Sequence, residues 1–181
     1  MEDEGAFARQ LKERDPEAWT RLYEDYMPRI YRYVAARVGS QAEAEDLTGQ
    51  VFMKALESGP SFRWRGAPVS AWLFRIARNQ VIDYWRTNKS GRQMPLDENL
   101  VDGNESPERA AELSSDIRQL KWAMAQLTEA QREVINLRFA GGLTTVEVAR
   151  VMGKSQGAVK VMQHAALASL RKKMVGWDRD G

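Results

Sequence analysis

The sequence predicts an all-α fold of two small helical domains joined by a flexible acidic linker, with a helix-turn-helix in the C-terminal domain. Apolar residues recur at helical spacing in most segments, which indicates amphipathic helices. Strand signals are absent, because no sustained period-two run and no Asn-Gly or Asp-Gly hairpin lies between apolar segments. An acidic segment with two prolines and no apolar periodicity separates the helical halves.

In the N-terminal domain, placed at residues 1–91, capping and breaking residues set the helix limits. Asp15 followed by Pro16 is typical of an N-cap with proline in the first helical turn. Gly39 is expected to end this long helix, and Pro28 inside it predicts a kink or a break. The helices expected in this domain lie at 16–38, 41–57 and 68–88.

The acidic linker is placed at 92–112 and the C-terminal domain at 113–181. Such a linker is expected to let the two domains tumble semi-independently. Thr128 and Gln131 have the spacing of a capping box, in which each side chain bonds the other's backbone. The helices expected in this half lie at 107–126, 129–139, 145–152 and 156–174.

The composition of the 181 residues excludes several kinds of site. There are no cysteines, which excludes disulfides, thiol nucleophiles and cysteine-bound zinc. His164 is the only histidine, so a multi-histidine metal site is also excluded, and no metal or other cofactor is expected. No apolar run is long enough to span a membrane, and the acidic N-terminus lacks signal-peptide features. We therefore expect a cytoplasmic protein that does not itself insert into a membrane.

The net charge is only +2, but the charge is unevenly distributed. Basic blocks at 58–91 and 114–181 flank the acidic stretch at 92–113. Clustered basic charge is typical of a surface that binds a polyanion. Solvated helix faces are the alternative explanation of the same pattern.

The segment 143–171 has the spacing of a helix-turn-helix, with Ala149 in the first helix, Gly153 at the turn and Val159 in the second helix. Ser155 is placed to cap the second helix. On a helical wheel the apolar residues of that helix share one side, and they are Val159, Met162, Ala166 and Leu170. The opposite side is polar and basic, as the major groove requires, and contains Gln156, Lys160, His164 and Arg171. An ordinary helical hairpin is the alternative.

The helix expected at 68–88 also has an apolar side and a largely polar, basic side. An aromatic-basic loop, "SFRWRG", precedes it. Arginines can follow phosphates, and aromatic side chains can stack on unpaired bases. Core packing is the alternative role for Trp72 and Trp85, and it is least expected for Trp64, which lies between two arginines. The apolar side contains Val69, Leu73, Ile76, Gln80 and Tyr84. The opposite side contains Arg75, Arg78, Asn79, Ile82, Arg86 and Lys89.

Over about residues 7–174 the sequence resembles the extracytoplasmic-function (ECF) group of bacterial sigma factors. "AEAEDLTGQVFMKAL" resembles the family's helix for binding core RNA polymerase, and "FRWRGAPVSAWLFRIARNQVIDYWR" resembles its −10 loop and strand-opening helix. "LTEAQREVINLRFAGGLTTVEVARVMGKSQGAVKVMQHAALASLR" resembles its −35-reading domain.

The resemblance implies that the chain directs core RNA polymerase to promoters and assists DNA opening. Contact with the clamp helices of the largest polymerase subunit is implied for Asp46, Leu47, Gln50, Val51 and Phe52. Contact with single-stranded −10 DNA is implied for Arg63, Trp64, Arg65, Trp72, Arg75, Arg78, Asn79 and Arg86. Contact with the −35 element is implied for Ser155, Gln156, Lys160, Val161, His164 and Arg171.

The resemblance also implies partners and a path for the linker. The expected partners are core polymerase, including the flap of its second-largest subunit, promoter DNA and an anti-sigma factor. The linker is expected to run toward the active-site cleft and the RNA exit path of the polymerase.

The sequence departs from the family pattern at two places. Gly49 and Gln50 stand where the family usually has glutamine and an acid. On the second helix of the motif, four residues replace a serine and three arginines, so fewer phosphate contacts and a different −35 sequence are expected. These four are Val161, Met162, Ala165 and Leu167.

Two other classes of protein remain as alternatives. A repressor or activator with a C-terminal helix-turn-helix would bind DNA without polymerase, but it normally needs a dimerisation face, and none is evident. An enzyme would have to use acid pairs such as Glu43, Glu45 and Asp46, which fit better as the start of a solvated or partner-facing helix.

Overall fold

A computed structural model describes residues 4–63, 66–88 and 107–180, and the helical fold class is confirmed there. These ranges contain eight α-helices and no strand. None of the described helices is both long and apolar enough to cross a lipid bilayer. The helices are α1 (Glu4–Lys12), α2 (Pro16–Ala35), α3 (Gln41–Ser58), α4 (Val69–Thr87), α5 (Pro107–Ala125), α6 (Glu129–Ile135), α7 (Thr145–Met152) and α8 (Gln156–Asp180).

Local capping signals fix the helix starts as the sequence predicts. The Oδ1 atom of Asp15 accepts a hydrogen bond from the backbone N–H of Ala18 at 2.9 Å, at the start of α2. At the start of α6, Thr128 and Gln131 form the predicted capping box. Each cap satisfies backbone N–H groups that the first helical turn leaves without a partner.

Three helices differ from the prediction. Helix α8 continues to Asp180 instead of ending near residue 174. Helix α2 continues without a break through Pro28 and ends at Ala35, before Gly39. Pro28 removes the hydrogen bond to the carbonyl of Glu24, but both residues are exposed, so water can bind that carbonyl. Helix α6 ends at Ile135, and Asn136–Ala140 form a wider π-helical turn rather than further α-helix.

The larger hydrophobic core extends across both predicted domains. Its large, fully buried members include Leu22, Tyr33 and Phe74 from the N-terminal half and Leu137 and Leu143 from the C-terminal half. A smaller cluster lies between α5, α6 and α8, and consists of Ala123, Met124, Leu127, Ile135, Ala166 and Leu170.

The two halves pack directly against each other, with α4 against α7 and α2 against the π-helical turn. This arrangement departs from the expectation of domains that tumble semi-independently. The physical reason is that the apolar sides of α2 and α4 continue into α6 and α7, so separation would expose a shared core. Most of the predicted linker lies outside the described residues, and α5 begins within it at Pro107.

Candidate polymerase and nucleic-acid interfaces

The turn between α7 and α8 has the geometry of a helix-turn-helix. Gly153 ends α7 in the left-handed region, at φ 63° and ψ 37°, where a residue with a Cβ atom would be strained. The next backbone N–H, that of Lys154, bonds the carbonyl of Ala149 at 2.9 Å. The Oγ atom of Ser155 then accepts from the N–H of Ala158 at 3.1 Å and caps α8, as predicted.

Helix α8 has the predicted apolar and polar sides. Val159 and Ala166 are fully buried, Leu170 is nearly so, and Met162 packs at the edge of the larger core. The residues predicted to contact the −35 element are all exposed, and they are Ser155, Gln156, Lys160, Val161, His164 and Arg171. The polar side is therefore free of the core and available to a partner.

Two of the departures from the family pattern place apolar side chains on the surface of α8. Val161 is 70% exposed, beside Lys160, and Leu167 is about one-third exposed on another part of the helix. A valine at the position of Val161 supplies a methyl surface and no hydrogen bond. Apolar side chains in a major groove contact the thymine methyl group, so Val161 offers an apolar contact where the family pattern has a serine.

Helix α4 has a buried apolar side and an exposed basic side, and Arg75, Asn79 and Arg86 lie on the exposed side. Arg86 pairs with Asp83 one turn earlier at 3.1 Å. Arg78 differs from this set, because its side chain is only 33% exposed and contacts an acid of α6. Three of the four predicted polar contacts from α4 therefore lie on one open surface.

The two tryptophans of α4 are half-buried against the larger core. Trp72 packs on Phe62 with ring centroids 4.6 Å apart, which ties the loop before α4 to this helix. The Nε1–H of Trp85 donates to the carbonyl of Arg37 at 3.0 Å. Both rings thus contribute to packing and remain partly exposed.

The aromatic-basic loop is described only in part. Arg63 is exposed, whereas Trp64 and Arg65 lie outside the described residues. After them, Gly66 has a φ of 74°, a left-handed conformation that favours glycine.

On α3, the predicted polymerase contacts divide between the surface and the core. Asp46 and Gln50 are exposed, but Leu47 and Val51 belong to the larger core and hold the helix from beneath. The predicted direct contact of Leu47 and Val51 with a partner is therefore corrected to a supporting role, because a buried side chain cannot reach a partner protein. Phe52 is half-buried, and its ring packs edge-on against that of Tyr23 at 4.9 Å.

Sequence reasoning missed three exposed apolar residues beside Asp46 and Gln50. Tyr23 of α2 and Met53 of α3 are each about half exposed or more, and Leu56 of α3 is also exposed. The sequence could have indicated Met53, because residues 46, 50 and 53 are three and four positions apart and therefore share one face of a helix. These side chains give the α3 surface an apolar centre with a polar edge.

Gly49 lies on this α3 surface, and a methyl group added there would meet no atom within 4 Å. Gly49→Ala is expected to stabilise the protein by about 0.5–1 kcal/mol, because alanine loses less backbone entropy in a helix. Thermal unfolding is expected to shift upward by roughly 2–4 °C.

Gly59→Ala is the matched control, since its methyl group would lie 2.7 Å from the Trp19 ring. It should lower the unfolding temperature. A decrease for Gly49→Ala would contradict the open environment of Gly49.

The contact between the two halves is centred on a buried carboxylate, Glu133 of α6, which is 3% exposed. The hydroxyl of Tyr33 donates to its Oε1 atom at 2.8 Å, and Arg37 pairs with its Oε2 atom. Burial, followed by the nearby negative charge of Glu133, raises the pKa of Tyr33 well above its ordinary value. Burial alone would lower the pKa of Arg37, but Glu133, Tyr33 and Glu129 together outweigh burial and raise that pKa.

A second polar contact joins the start of α4 to the start of α7. Ser70 donates to Glu147, whose other oxygen accepts from the backbone N–H of Thr144. Burial alone would raise the pKa of Glu147, but hydrogen bonds from Ser70 and Thr144 outweigh it and lower that pKa.

Within the described residues, no group of three or more His, Cys, Asp or Glu side chains is arranged to hold a metal ion.

Comparison with known proteins connects these surfaces to a family. Residues 22–91 match the family model for sigma-70 region 2, and residues 123–172 match that for sigma-70 region 4. The ECF RNA polymerase sigma factor ShbA of Streptomyces griseus is 35% identical over 177 residues, which cover 92% of this chain and 93% of that protein. The chain belongs to the ECF family of RNA polymerase sigma factors. Sigma factors direct core RNA polymerase to specific promoters and assist DNA opening at initiation.

Two other comparisons give a second relative and a protein of similar fold. The sigma factor is 38% identical over 161 residues to the ECF sigma factor BldN of Streptomyces coelicolor, and it spans only 61% of that longer relative. Its fold is similar to that of CnrH, solved in complex with the cytosolic domain of CnrY, with a TM-score of 0.71 and 23% identity. That match covers 97% of each chain.

Proposed function

We propose that the sigma factor divides its work between the two halves of the chain. Residues 1–91 bind core polymerase and hold the opened −10 strand, and residues 113–181 bind the −35 element. The observation that carries this proposal is the helix-turn-helix of α7 and α8, whose second helix exposes Lys160 and His164 away from the core. The left-handed Gly153 and the Ser155 cap set the turn before this helix, as in a helix-turn-helix that places its second helix in the major groove.

The α3 surface is the proposed contact with the clamp helices of the largest polymerase subunit. It offers Asp46 and Gln50 as polar contacts beside the exposed side chains of Tyr23 and Met53. Apolar residues with a polar rim are typical of protein–protein interfaces. Leu47 and Val51 support this surface from within the core.

The loop before α4 and the exposed side of α4 are the proposed contact with the non-template strand at −10. Arg63, Asn79 and Arg86 are accessible to a phosphate backbone, and Arg75 is exposed but donates to the carbonyl of Arg150. The half-buried Trp72 packs on Phe62 of the same loop. Trp64 and Arg65 belong to this proposal through the family resemblance.

Trp64→Ala is expected to leave thermal stability nearly unchanged and to impair formation of the open complex. The reason is that an aromatic ring between two arginines in a loop suits a flipped base better than a core. Permanganate footprinting of the melted region measures the opening, and Trp85→Ala is the matched control, since it should reduce stability. Equal losses of stability and opening for Trp64→Ala would contradict the role in DNA binding.

The remaining partners follow from the same proposal. The C-terminal half contacts the flap of the second-largest polymerase subunit, and the linker runs toward the active-site cleft. An anti-sigma factor binds the chain and controls it, as the solved complex of CnrH with CnrY suggests for a related fold. The protein acts in the cytoplasm, needs no cofactor and catalyses no reaction of its own.

Reconstitution with core RNA polymerase tests the proposed function. The purified sigma factor should form a complex with core polymerase and start transcription at a defined set of genomic sites. Alignment of the DNA upstream of those sites should yield a −10 and a −35 element. A dimeric protein that binds DNA but does not bind core polymerase would instead indicate a repressor or an activator.

A further inference from the structure

A groove of about 510 Å³ lies between α1 and the loop that precedes α4. The α1 wall of this groove consists of Gly5, Ala8, Arg9 and Lys12. These four residues are three and four positions apart, so they share one side of the helix. The opposite wall consists of Phe62, which is half-buried, and Arg63, which is exposed. The volume falls within the range of small-molecule sites, so one nucleotide of a DNA strand has room in it.

The groove carries positive charge on both walls. Arg9 and Lys12 are exposed on α1, Arg63 is exposed on the loop, and none of the described residues that line the groove is acidic. The helix dipole favours basic residues in the last turn of α1, but it does not explain a third cation on the opposite wall. A phosphate accepts charge-assisted hydrogen bonds from several donors at once, so cations from two elements around one groove suit it.

The beginning of the loop is fixed to α1. The Nε1–H of Trp19 donates to the carbonyl of Leu11 at 3.0 Å, which holds the Trp19 ring at the end of α1. Gly59, in the turn before the loop, lies so close to that ring that an added methyl group would come within 2.7 Å of it. The N–H of Phe62 then donates to the carbonyl of Gly59 at 3.0 Å. The end of α1 therefore sets where Phe62 and Arg63 lie.

The end of the loop is fixed to α1 as well. Pro68 precedes α4 and supplies no side-chain cap for it. The Oε2 atom of Glu4, at the start of α1, instead accepts a hydrogen bond from the backbone N–H of Val69 at 3.0 Å. A carboxylate at this place also suits the positive end of the α4 dipole. Because one helix holds both ends of the aromatic-basic loop, α1 and the loop form a single preorganised surface.

Helix α1 ends at Lys12, whereas the match to sigma-70 region 2 begins at residue 22, so α1 lies outside the matched region. We propose that α1 is a further part of the −10 site, in which Arg9 and Lys12, together with Arg63, bind a phosphate of the non-template strand. The loop and α4 hold the bases, and α1 holds the backbone beside them. This inference rests on the proposed function, since it assumes that the loop before α4 binds the −10 strand.

Lys12→Gln in the reconstituted holoenzyme tests the inference. The variant removes one charge from an exposed side chain, so the unfolding temperature should stay nearly unchanged. Fluorescence anisotropy at several salt concentrations measures binding of a single-stranded −10 oligonucleotide and of one with a scrambled sequence. Loss of one phosphate contact should reduce the slope of log K against log salt concentration by about 0.7, and the affinity by about fourfold at about 0.15 M salt.

Both oligonucleotides should lose affinity by the same factor, because a phosphate contact carries no sequence information. Arg9→Gln should act in the same way, and the double variant should reduce the salt slope by about 1.4. Arg14→Gln is the matched control, because it removes one positive charge from an exposed side chain that does not line the groove. Its affinity should stay within about 1.5-fold of wild type, since salt screens charges that make no direct contact.

Three results would overturn the inference. One is a Lys12→Gln holoenzyme with wild-type affinity and salt slope. Another is a loss of affinity confined to the −10 oligonucleotide, which would mean that Lys12 contacts a base. The third is weaker assembly of the variant with core polymerase, which would place α1 at a protein interface. A wild-type holoenzyme that binds the two oligonucleotides equally would instead mean that the proposed function fails.

Discussion

Val159→Asp is expected to abolish cooperative folding of the C-terminal half. Val159 is fully buried in the larger core, where it locks α8 against α7. An aspartate there would place a carboxylate without a partner among apolar side chains, at a cost of about 4 kcal/mol or more. Circular dichroism during thermal unfolding should show lost helix and a broad, early transition.

Val161→Asp is the matched control, because it makes the same substitution two residues further along α8. Val161 is 70% exposed, so this variant should unfold at nearly the wild-type temperature and lose only DNA binding, through repulsion from phosphates. If the Val159→Asp protein unfolds at the wild-type temperature, α8 is not anchored as the structure describes.

Lys160→Ala is expected to reduce transcription from promoters that depend on the −35 element by about tenfold. Lys160 is exposed on the proposed DNA-binding side of α8. A loss of about 1.4 kcal/mol corresponds to that factor and falls in the range for one good contact with a guanine edge. Binding to core polymerase and the unfolding temperature should both stay unchanged, since the side chain supports neither.

Arg118→Ala separates this effect from a general loss of positive charge. Arg118 is exposed on α5, in the same half of the chain but outside the proposed DNA-binding side of α8. It should have little effect on transcription. Equal reductions for the two variants, or an equal effect of Lys160→Ala on intact and scrambled −35 elements, would contradict the role of α8.

Local features of the sequence predicted much of the fold. The caps at Asp15, Thr128 and Ser155 are each set by residues within three positions, so they are visible in the sequence. The two sides of α8 follow from helical periodicity alone, and Val159 and Lys160 fall where the wheel places them. The same holds for most of α4.

Features that depend on distant contacts were not predictable. Glu133 resembles any surface acid in the sequence, and only its contacts with Tyr33 and Arg37 explain its burial. Arg78 lies on the polar side of the α4 wheel, yet it is engaged by that same acid. The packing of the halves was missed for this reason, because no local pattern encodes which exposed face meets another.

The limits of motif transfer are clearest on α3. The family pattern assigns Leu47 and Val51 to the polymerase contact, but both are buried, whereas the exposed Met53 and Tyr23 were not considered. A motif identifies the helix that binds, and the fold decides which of its side chains face outward. The fold also decides the effect of Pro28. The sequence predicts a kink or a break there, but the exposed position of Pro28 allows α2 to continue.

Transcription by the reconstituted holoenzyme from three matched templates tests the central claim most directly. One template carries both promoter elements found by start-site mapping, one has a scrambled −10 element and one has a scrambled −35 element. We predict transcripts from the intact template that require the sigma factor, none with the scrambled −10 element and strongly reduced amounts with the scrambled −35 element. Equal transcription from all three templates, or from core polymerase alone, would contradict the claim that this chain selects promoters.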